Sequence, residues 1–178
     1  TTYLHAATSR FMRMDAPLVV AVNGVAAGAG MSLAVAGDIT IAARTAKFTM
    51  AYTAAGLSPD GSSSWFLPRL IGLRRTQELM LTNRVLDAAE ALEWGVVSQV
   101  VDDDALADAA MDLARRFASG PTLAYGAVKT LLVDSFTNTL ETQLELEARL
   151  IAKTAQTDDG REGIAAFVAK RKPVFKGA

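Results

Sequence analysis

The run Leu18-Val19-Val20-Ala21-Val22 constrains the fold more than any other stretch of this chain. It is apolar throughout, mostly β-branched and without polar alternation, which fits a strand buried on both faces, the environment of a parallel sheet. Asp15-Ala16-Pro17 precedes it and ends a loosely helical stretch from Tyr3 to Met14, because proline disfavours helix in the residue before it. After the run come Asn23-Gly24, the small-residue stretch Val25 to Gly30, a helix-compatible Met31 to Ala36 and a second strand-like run, Asp38 to Ala43. Strand, glycine-rich turn, short helix and strand make a compact βαβ crossover.

Downstream, Lys47 to Met50 reads as another short strand and Gly56 to Ser64 as a loop. Apolar residues three and four apart predict helices over Trp65–Ile71, Arg75–Leu81 and Ala88–Trp94, the last with Asp87 as N-cap and Gly95 as C-cap. Val96 to Val101 reads as a brief strand. Further helices are expected at about Ala105–Ala118, Thr122–Asp134, Thr139–Ala155 and Arg161–Arg171, the third with Leu140, Leu144, Ala148 and Ile151 on one face. The expected class is α/β in front and helical behind.

Composition narrows the chemistry. At 178 residues the chain is long enough for a core of its own. The lack of cysteine excludes disulfides, a thiolate nucleophile and a Cys-ligated metal, and a single histidine, His5, excludes a multi-His metal site. With 18 Lys and Arg against 19 Asp and Glu, the net charge of −1 argues against a nucleic-acid binder. No apolar run approaches the ~20 residues of a membrane span, so no membrane partner and a cytoplasmic location are expected.

Three places offer chemistry. At Gly28-Ala29-Gly30 the backbone can approach a ligand closely, and the following helix aims free N–H groups at a phosphate, carboxylate or oxyanion. Tight helix–strand packing explains the same glycines and is the simpler reading of the residues alone. Asp60, in Ser58-Pro59-Asp60-Gly61, is ordinary turn chemistry. It is also an acid placed between an apolar strand and a helix carrying Trp65 and Phe66, where a general acid or base would sit. Lys170, Arg171, Lys172 and Lys176, with Phe167 a turn earlier, make either a solvated helix end or a phosphate-binding tail. Ser62 to Ser64 lack the G-x-S-x-G surroundings of a nucleophile.

Taken in order, Val20 to Ala34, Asp38-Ile39, Lys47-Phe48, Leu67-Pro68-Arg69-Leu70-Ile71-Gly72, Ala88 to Val97 and Asp159-Gly160-Arg161-Glu162-Gly163 to Arg171 resemble the enoyl-CoA hydratase/isomerase (crotonase) superfamily. The resemblance implies a crotonase-like spiral of ββα units, partial here, over residues 1–120, with a helical region over 121–178 for trimerisation and CoA contact. It implies an acyl-CoA substrate, CoA entering only as part of it, no other cofactor, and a homotrimer or dimer of trimers. The amide of Ala29 would be one oxyanion donor. The second donor, and several strands, belong to a segment preceding Thr1, so the resemblance casts the chain as the back two-thirds of a domain with an open sheet edge. Hydratases of the family carry glutamates where this chain has Ser32 and Tyr52, which disfavours ordinary hydration. Asp60 matches the catalytic aspartate of some isomerases, with surroundings most like the branch of ring-epoxide isomerases of phenylacetyl-CoA. Gly28, Gly30, Ser32, Tyr52, Trp65 and Phe66 would line the acyl site, and Phe167 and Lys170 would meet the CoA moiety. The implied activity is an acyl-CoA isomerase with Asp60 as proton shuttle. The alternatives are an enoyl-CoA hydratase and a non-catalytic acyl-CoA-binding paralogue.

Overall fold

The strands come in consecutive pairs that separate into two sheets. In the computed structural model, which describes residues 1–178, β1 (Val19–Val22) and β2 (Val25–Ala27) flank the Asn23-Gly24 turn. After α2 (Ala29–Val35), β3 (Ile39–Ala43) and β4 (Lys47–Thr49) repeat the pattern. One sheet has the order β1-β3-β6, where β6 is Gln99–Val101, and is parallel throughout, with Val19 opposite Ile39 and Ile41 opposite Gln99. The other has the order β2-β4-β5, where β5 is Leu86–Asp87; β4 runs parallel to β2 and antiparallel to β5.

The βαβ crossover expected from sequence is therefore present as β1, α2 and β3. Two expectations need correction. Val25-Ala26-Ala27 is a strand, not part of the turn, and it starts a second sheet. Only Ala26 faces inward there, so the stretch carries too little apolar pattern to betray a strand. β1 is parallel but not buried on both faces: it ends its sheet, and Ala21 is exposed while Val22 is buried. β3 is the strand enclosed by neighbours on either side, and its last four residues are all buried.

Helices follow the expected spans with shifted ends. α1 covers Thr2–Arg13, and α3 (Ser63–Thr82) is interrupted at Gly72 (φ 78°, ψ 160°), so it corresponds to the two helices expected on either side. In α4 (Ala88–Trp94) the Asp87 side chain accepts from the Glu90 amide and Gly95 takes the left-handed closing position. Val96 and Val97 both donate to the Ala91 carbonyl, which holds them in that helix closure and delays the strand to Gln99.

One compact unit comprises Thr1–Phe11 and Leu18–Leu113. Its fully buried side chains include Met31, Phe48, Met50, Leu67, Leu79 and Leu86. Burying each large apolar side chain contributes about 1.5–3 kcal/mol. On the parallel sheet, Leu106, Ala110 and Leu113 of α5 (Leu106–Ala118) pack on Val19, Ile39, Ile41 and Val101.

The second unit comprises Met12–Pro17 and Ala114–Ala178. It holds α6 (Thr122–Asp134), α7 (Leu140–Ala155) and α8 (Asp158–Val168). The buried Lys129 donates to the Ala16 carbonyl at 3.2 Å. Leu140, Leu144 and Ile151, the expected apolar face of α7, are exposed. The last helix begins at Asp158 rather than Arg161. Thr157 accepts from the Gly160 amide, and Asp158 and Asp159 suit the positive end of the helix. The buried Asp159 carboxylate then gathers the amides of Lys176, Gly177 and Ala178, holding the C-terminal residues against the helix.

Two stability predictions follow from these contacts. A Cβ on Gly37 would lie 2.7 Å from Val20 Cγ2 and 2.8 Å from Thr40 Oγ1. The valine is β-branched on a strand, and the threonine hydroxyl is committed to the Ala34 carbonyl at 2.7 Å, so neither yields easily. Gly37→Ala should therefore lose about 1–3 kcal/mol in denaturant unfolding, more than the ~0.4–1 kcal/mol gained from a stiffer unfolded chain. In the second unit, paired bonds from Arg171, then the Val174 amide, hold the Glu162 carboxyl down to about 2 from its ordinary 4.5. Because the folded value is the lower one, this stabilisation is complete above pH 4.5 and disappears as the pH falls through about 2. Acid titration should show Glu162→Gln less stable at neutral pH, with a shallower decline across that window.

Candidate active site

The site is assembled where the start of α2 meets the segment between β4 and α3. The Gly28 amide donates to the Thr49 carbonyl at 3.1 Å, tying the end of β2 to the end of β4. Ala29 and Gly30 form the exposed first turn of α2, and amides at that position have no acceptor within the helix. One turn on, Ser32 is fully buried. Its hydroxyl donates to the Asp60 carbonyl at 2.8 Å and lies 3.4 Å from the Tyr52 hydroxyl. Tyr52 in turn donates to Asp60 Oδ1 at 2.7 Å. The ring of Tyr52 also passes 3.7 Å from where a Cβ on Gly28 would stand.

Asp60 is held by its backbone as well. Its carbonyl accepts from the buried Ser63 at 3.3 Å in addition to Ser32. The chain then turns into α3 through two consecutive left-handed residues, Gly61 (φ 66°) and Ser62 (φ 88°). Gly61 is required for space too, since a Cβ there would stand 3.1 Å from Ser32 Cβ and 3.2 Å from Leu4 Cδ2. Ser62 has no such licence: a non-glycine residue in this region costs roughly 1–3 kcal/mol. Its buried Oγ also has no hydrogen-bond partner. Strain of this kind next to a partly exposed carboxylate is a feature of functional loops.

His5 of α1 completes the cluster. Its Nε2 accepts from the Gly61 amide at 3.3 Å and lies 3.8 Å from Asp60 Oδ2. Sequence reading missed this residue as a neighbour of Asp60, and no spacing signal joins positions 55 apart. Trp65 and Phe66 occupy the first turns of α3 and pack edge to face at 4.8 Å, with the Arg69 guanidinium 4.1 Å over the Trp65 ring. Gly28, Ser32, Tyr52 and Asp60 are thus brought into one network, with Ala29 and Gly30 beside it. Phe167 and Lys170 belong to the other unit: Phe167 is 85% exposed near the end of α8. Lys170, expected inside that helix, lies past its end with φ 53°.

Matched against known families, residues 3–178 fit the profile described as enoyl-CoA hydratase/isomerase. The chain belongs to this family. Its architecture is the crotonase-like α/β fold, followed along the chain by C-terminal helices. A 1,2-epoxyphenylacetyl-CoA isomerase of Escherichia coli (strain K12) is 49% identical over 168 residues, covering 94% of this chain and 64% of that protein. A 4-chlorobenzoyl coenzyme A dehalogenase from an Arthrobacter species is 35% identical, covering 94% of the chain and 61% of that protein. Among solved structures, an enoyl-CoA hydratase from Bacillus anthracis superposes with a TM-score of 0.92 at 32% identity, covering 99% of this chain and 69% of that one. The chain thus spans somewhat under two thirds of the length of these two curated relatives. No helix is long and apolar enough to cross a membrane.

Within this family member, the Tyr52 phenol is a donor held in its protonated form. Burial pushes its pKa above the ordinary 10; the bond to Ser32 opposes the shift, and the bond to Asp60 and its negative charge add to it. The folded value is the higher one, so the stabilisation is complete below about pH 10 and is lost as the pH rises through the raised value. Asp60→Asn removes the charge that contributes to the shift. In that variant the tyrosinate absorbance assigned to Tyr52, by difference against Tyr52→Phe, should appear at lower pH than in the wild type.

Proposed function

We propose that this chain forms the proton-transfer site of an acyl-CoA isomerase. The observation carrying the proposal is the state of Asp60: one carboxylate oxygen is occupied by Tyr52, and the other, Oδ2, is left without a hydrogen-bond donor within 3.5 Å. An oriented carboxylate with one open oxygen is what a proton shuttle requires. Ser32 and Tyr52, standing where hydratases of the family carry glutamates, leave a single acid for the work. Moving one proton between two carbons needs no second acid, whereas adding water across a double bond requires managing protons at two centres.

In the proposed reaction the thioester carbonyl of an acyl-CoA lies at the Ala29 amide. Asp60 Oδ2 takes a proton from a substrate carbon, and the electron pair of that C–H bond moves toward the thioester oxygen as an enolate. The amide stabilises the developing charge; one such donor is typically worth 10²–10³ in rate. Asp60 then returns the proton to a different carbon, shifting a double bond or completing an epoxide rearrangement. Gly28 and Gly30 allow the thioester close to the turn, while Trp65 and Phe66 bound the acyl group. Phe167 and Lys170 of a neighbouring subunit contact the adenine and phosphate end of the CoA moiety, and the exposed apolar stripe of α7 favours assembly as a homotrimer or dimer of trimers.

The decisive experiment compares Asp60→Asn with wild type on enoyl-CoA and epoxyacyl-CoA thioesters. The expected loss is roughly 10²–10⁴ in kcat with CoA-thioester binding retained. Exchange of solvent deuterium into the acyl chain should be lost in parallel. Full activity in the variant excludes the proposal, and rapid hydration of crotonyl-CoA by the wild type, followed through the enoyl absorbance, would replace it with a hydratase.

A further inference from the structure

We propose that His5 is a proton-linked gate on Asp60. The inference rests on the assignment of Asp60 as proton shuttle and adds a positioning residue that controls when its open oxygen is available. A neutral imidazole has one donor nitrogen and one acceptor. Here the Gly61 amide donates to Nε2 at 3.3 Å, so Nε2 carries the lone pair and the proton is on Nδ1. In this state the nitrogen nearest the carboxylate has no hydrogen to offer, and Oδ2, 3.8 Å away, stays open.

Protonation reverses every part of that arrangement. An N–H on Nε2 would face the Gly61 N–H donor to donor, so the imidazole must leave the amide. Oδ2 is the acceptor beside it, and a charge-assisted bond at about 2.7–2.9 Å needs a shift of only about an ångström. With Tyr52 already on Oδ1, the imidazolium then occupies the second oxygen, and Asp60 can no longer receive a proton from substrate. The His5 side chain is about half exposed, 54%, and so exchanges protons freely with solvent. From the opposing segment the ionisable groups facing it are Asp60 and, through Oδ1, Tyr52. On its own helix the residues one turn away are Thr1, Thr2, Thr8 and Ser9, none with an ionisable side chain.

The test has a kinetic and a spectroscopic arm. Isomerisation, or exchange of solvent deuterium into a bound acyl-CoA, is followed from pH 5 to 8. The wild-type rate should fall about tenfold per unit on its acid side. In His5→Gln, whose amide oxygen still accepts from Gly61 but takes up no proton, that acid limb should flatten. A His5→Gln variant with an unaltered acid limb overturns the gate, and so does one inactive at every pH, since the imidazole would then participate directly. Independently of turnover and of that variant's folding, NMR follows the imidazole Nε2–H of acidified wild type and Asp60→Asn. In the wild type its proton resonance should lie downfield, as a charge-assisted bond to Oδ2 requires, and removing the carboxylate should abolish that displacement. An identical resonance in the two proteins overturns the gate while leaving the role of Asp60 intact. Full activity in Asp60→Asn with an altered resonance removes the proton shuttle, and with it the gate's function, but not the contact.

Discussion

The Ser32 hydroxyl joins the glycine-rich turn to the loop that carries Asp60, and the remainder of the site is arranged around that one bond. A serine hydroxyl has a single proton, and it points between the Asp60 carbonyl at 2.8 Å and, at 3.3 Å, the Gly28 carbonyl of the turn itself. The Tyr52 proton is committed likewise to Asp60 Oδ1 at 2.7 Å. The two hydroxyl oxygens meet at 3.4 Å, a longer and weaker bond beside those two. Asp60 is consequently fixed at both ends, its backbone by Ser32 and Ser63 and its carboxylate by Tyr52. The fully buried Ser32 makes the anchoring costly to disturb, because removing one partner of a buried polar pair strands the other.

This bond exists because of the way the strands are dealt into two sheets. β2 must leave the plane of β1 and pair with β4 for the turn at Gly28 to meet the segment leading to Tyr52. α2 is short and has Met31, Ser32, Ala34 and Val35 all buried, so the face presenting Ser32 is locked by the same core that holds Phe48 and Met50. The geometry of the candidate site and core packing therefore share residues. The strain at Ser62 is tolerable on that account: Gly61 is wedged against Ser32 and Leu4, and the following helix starts from a buried Ser63.

Much of this was legible in the sequence, and the parts that were not have common physical causes. The caps of α4 announced themselves because Asp87 and Gly95 act on their own helix. The turn at Gly28-Ala29-Gly30 and the acid at Asp60 were visible as local chemistry, and family resemblance brought Tyr52 and Ser32 in as departures from an expected pair of glutamates. β2 was hidden because a three-residue strand with a single inward alanine leaves no periodicity to detect. The apolar run of β1 reports composition, not the number of neighbours a strand has, and it was the family resemblance that carried the expectation of an open sheet edge. His5 was invisible as a partner of Asp60 because its contact depends on how α1 packs, through Leu4, against a glycine 56 positions away.

The two hydroxyls at positions 32 and 52 also set the electrostatics of the site. The Ser32 hydroxyl meets the Asp60 backbone and the Tyr52 hydroxyl its carboxylate, so a carboxylate at either place would bring a second negative charge close to Asp60. Like charges about 4 Å apart repel by ~1 kcal/mol in water and ~4 kcal/mol at the effective dielectric of a protein surface. Such a pair would share protons, and its two acids would titrate as a unit rather than as one defined base. Neutral donors orient the carboxylate without adding charge. In the proposed reaction this matters twice, since negative charge must also develop on a thioester oxygen at the neighbouring turn. A site with one anion, held by hydroxyls, keeps the least repulsion against that second anion while retaining a fixed base. For the proposed reaction, hydroxyls at positions 32 and 52 in place of acids suit the movement of a single proton.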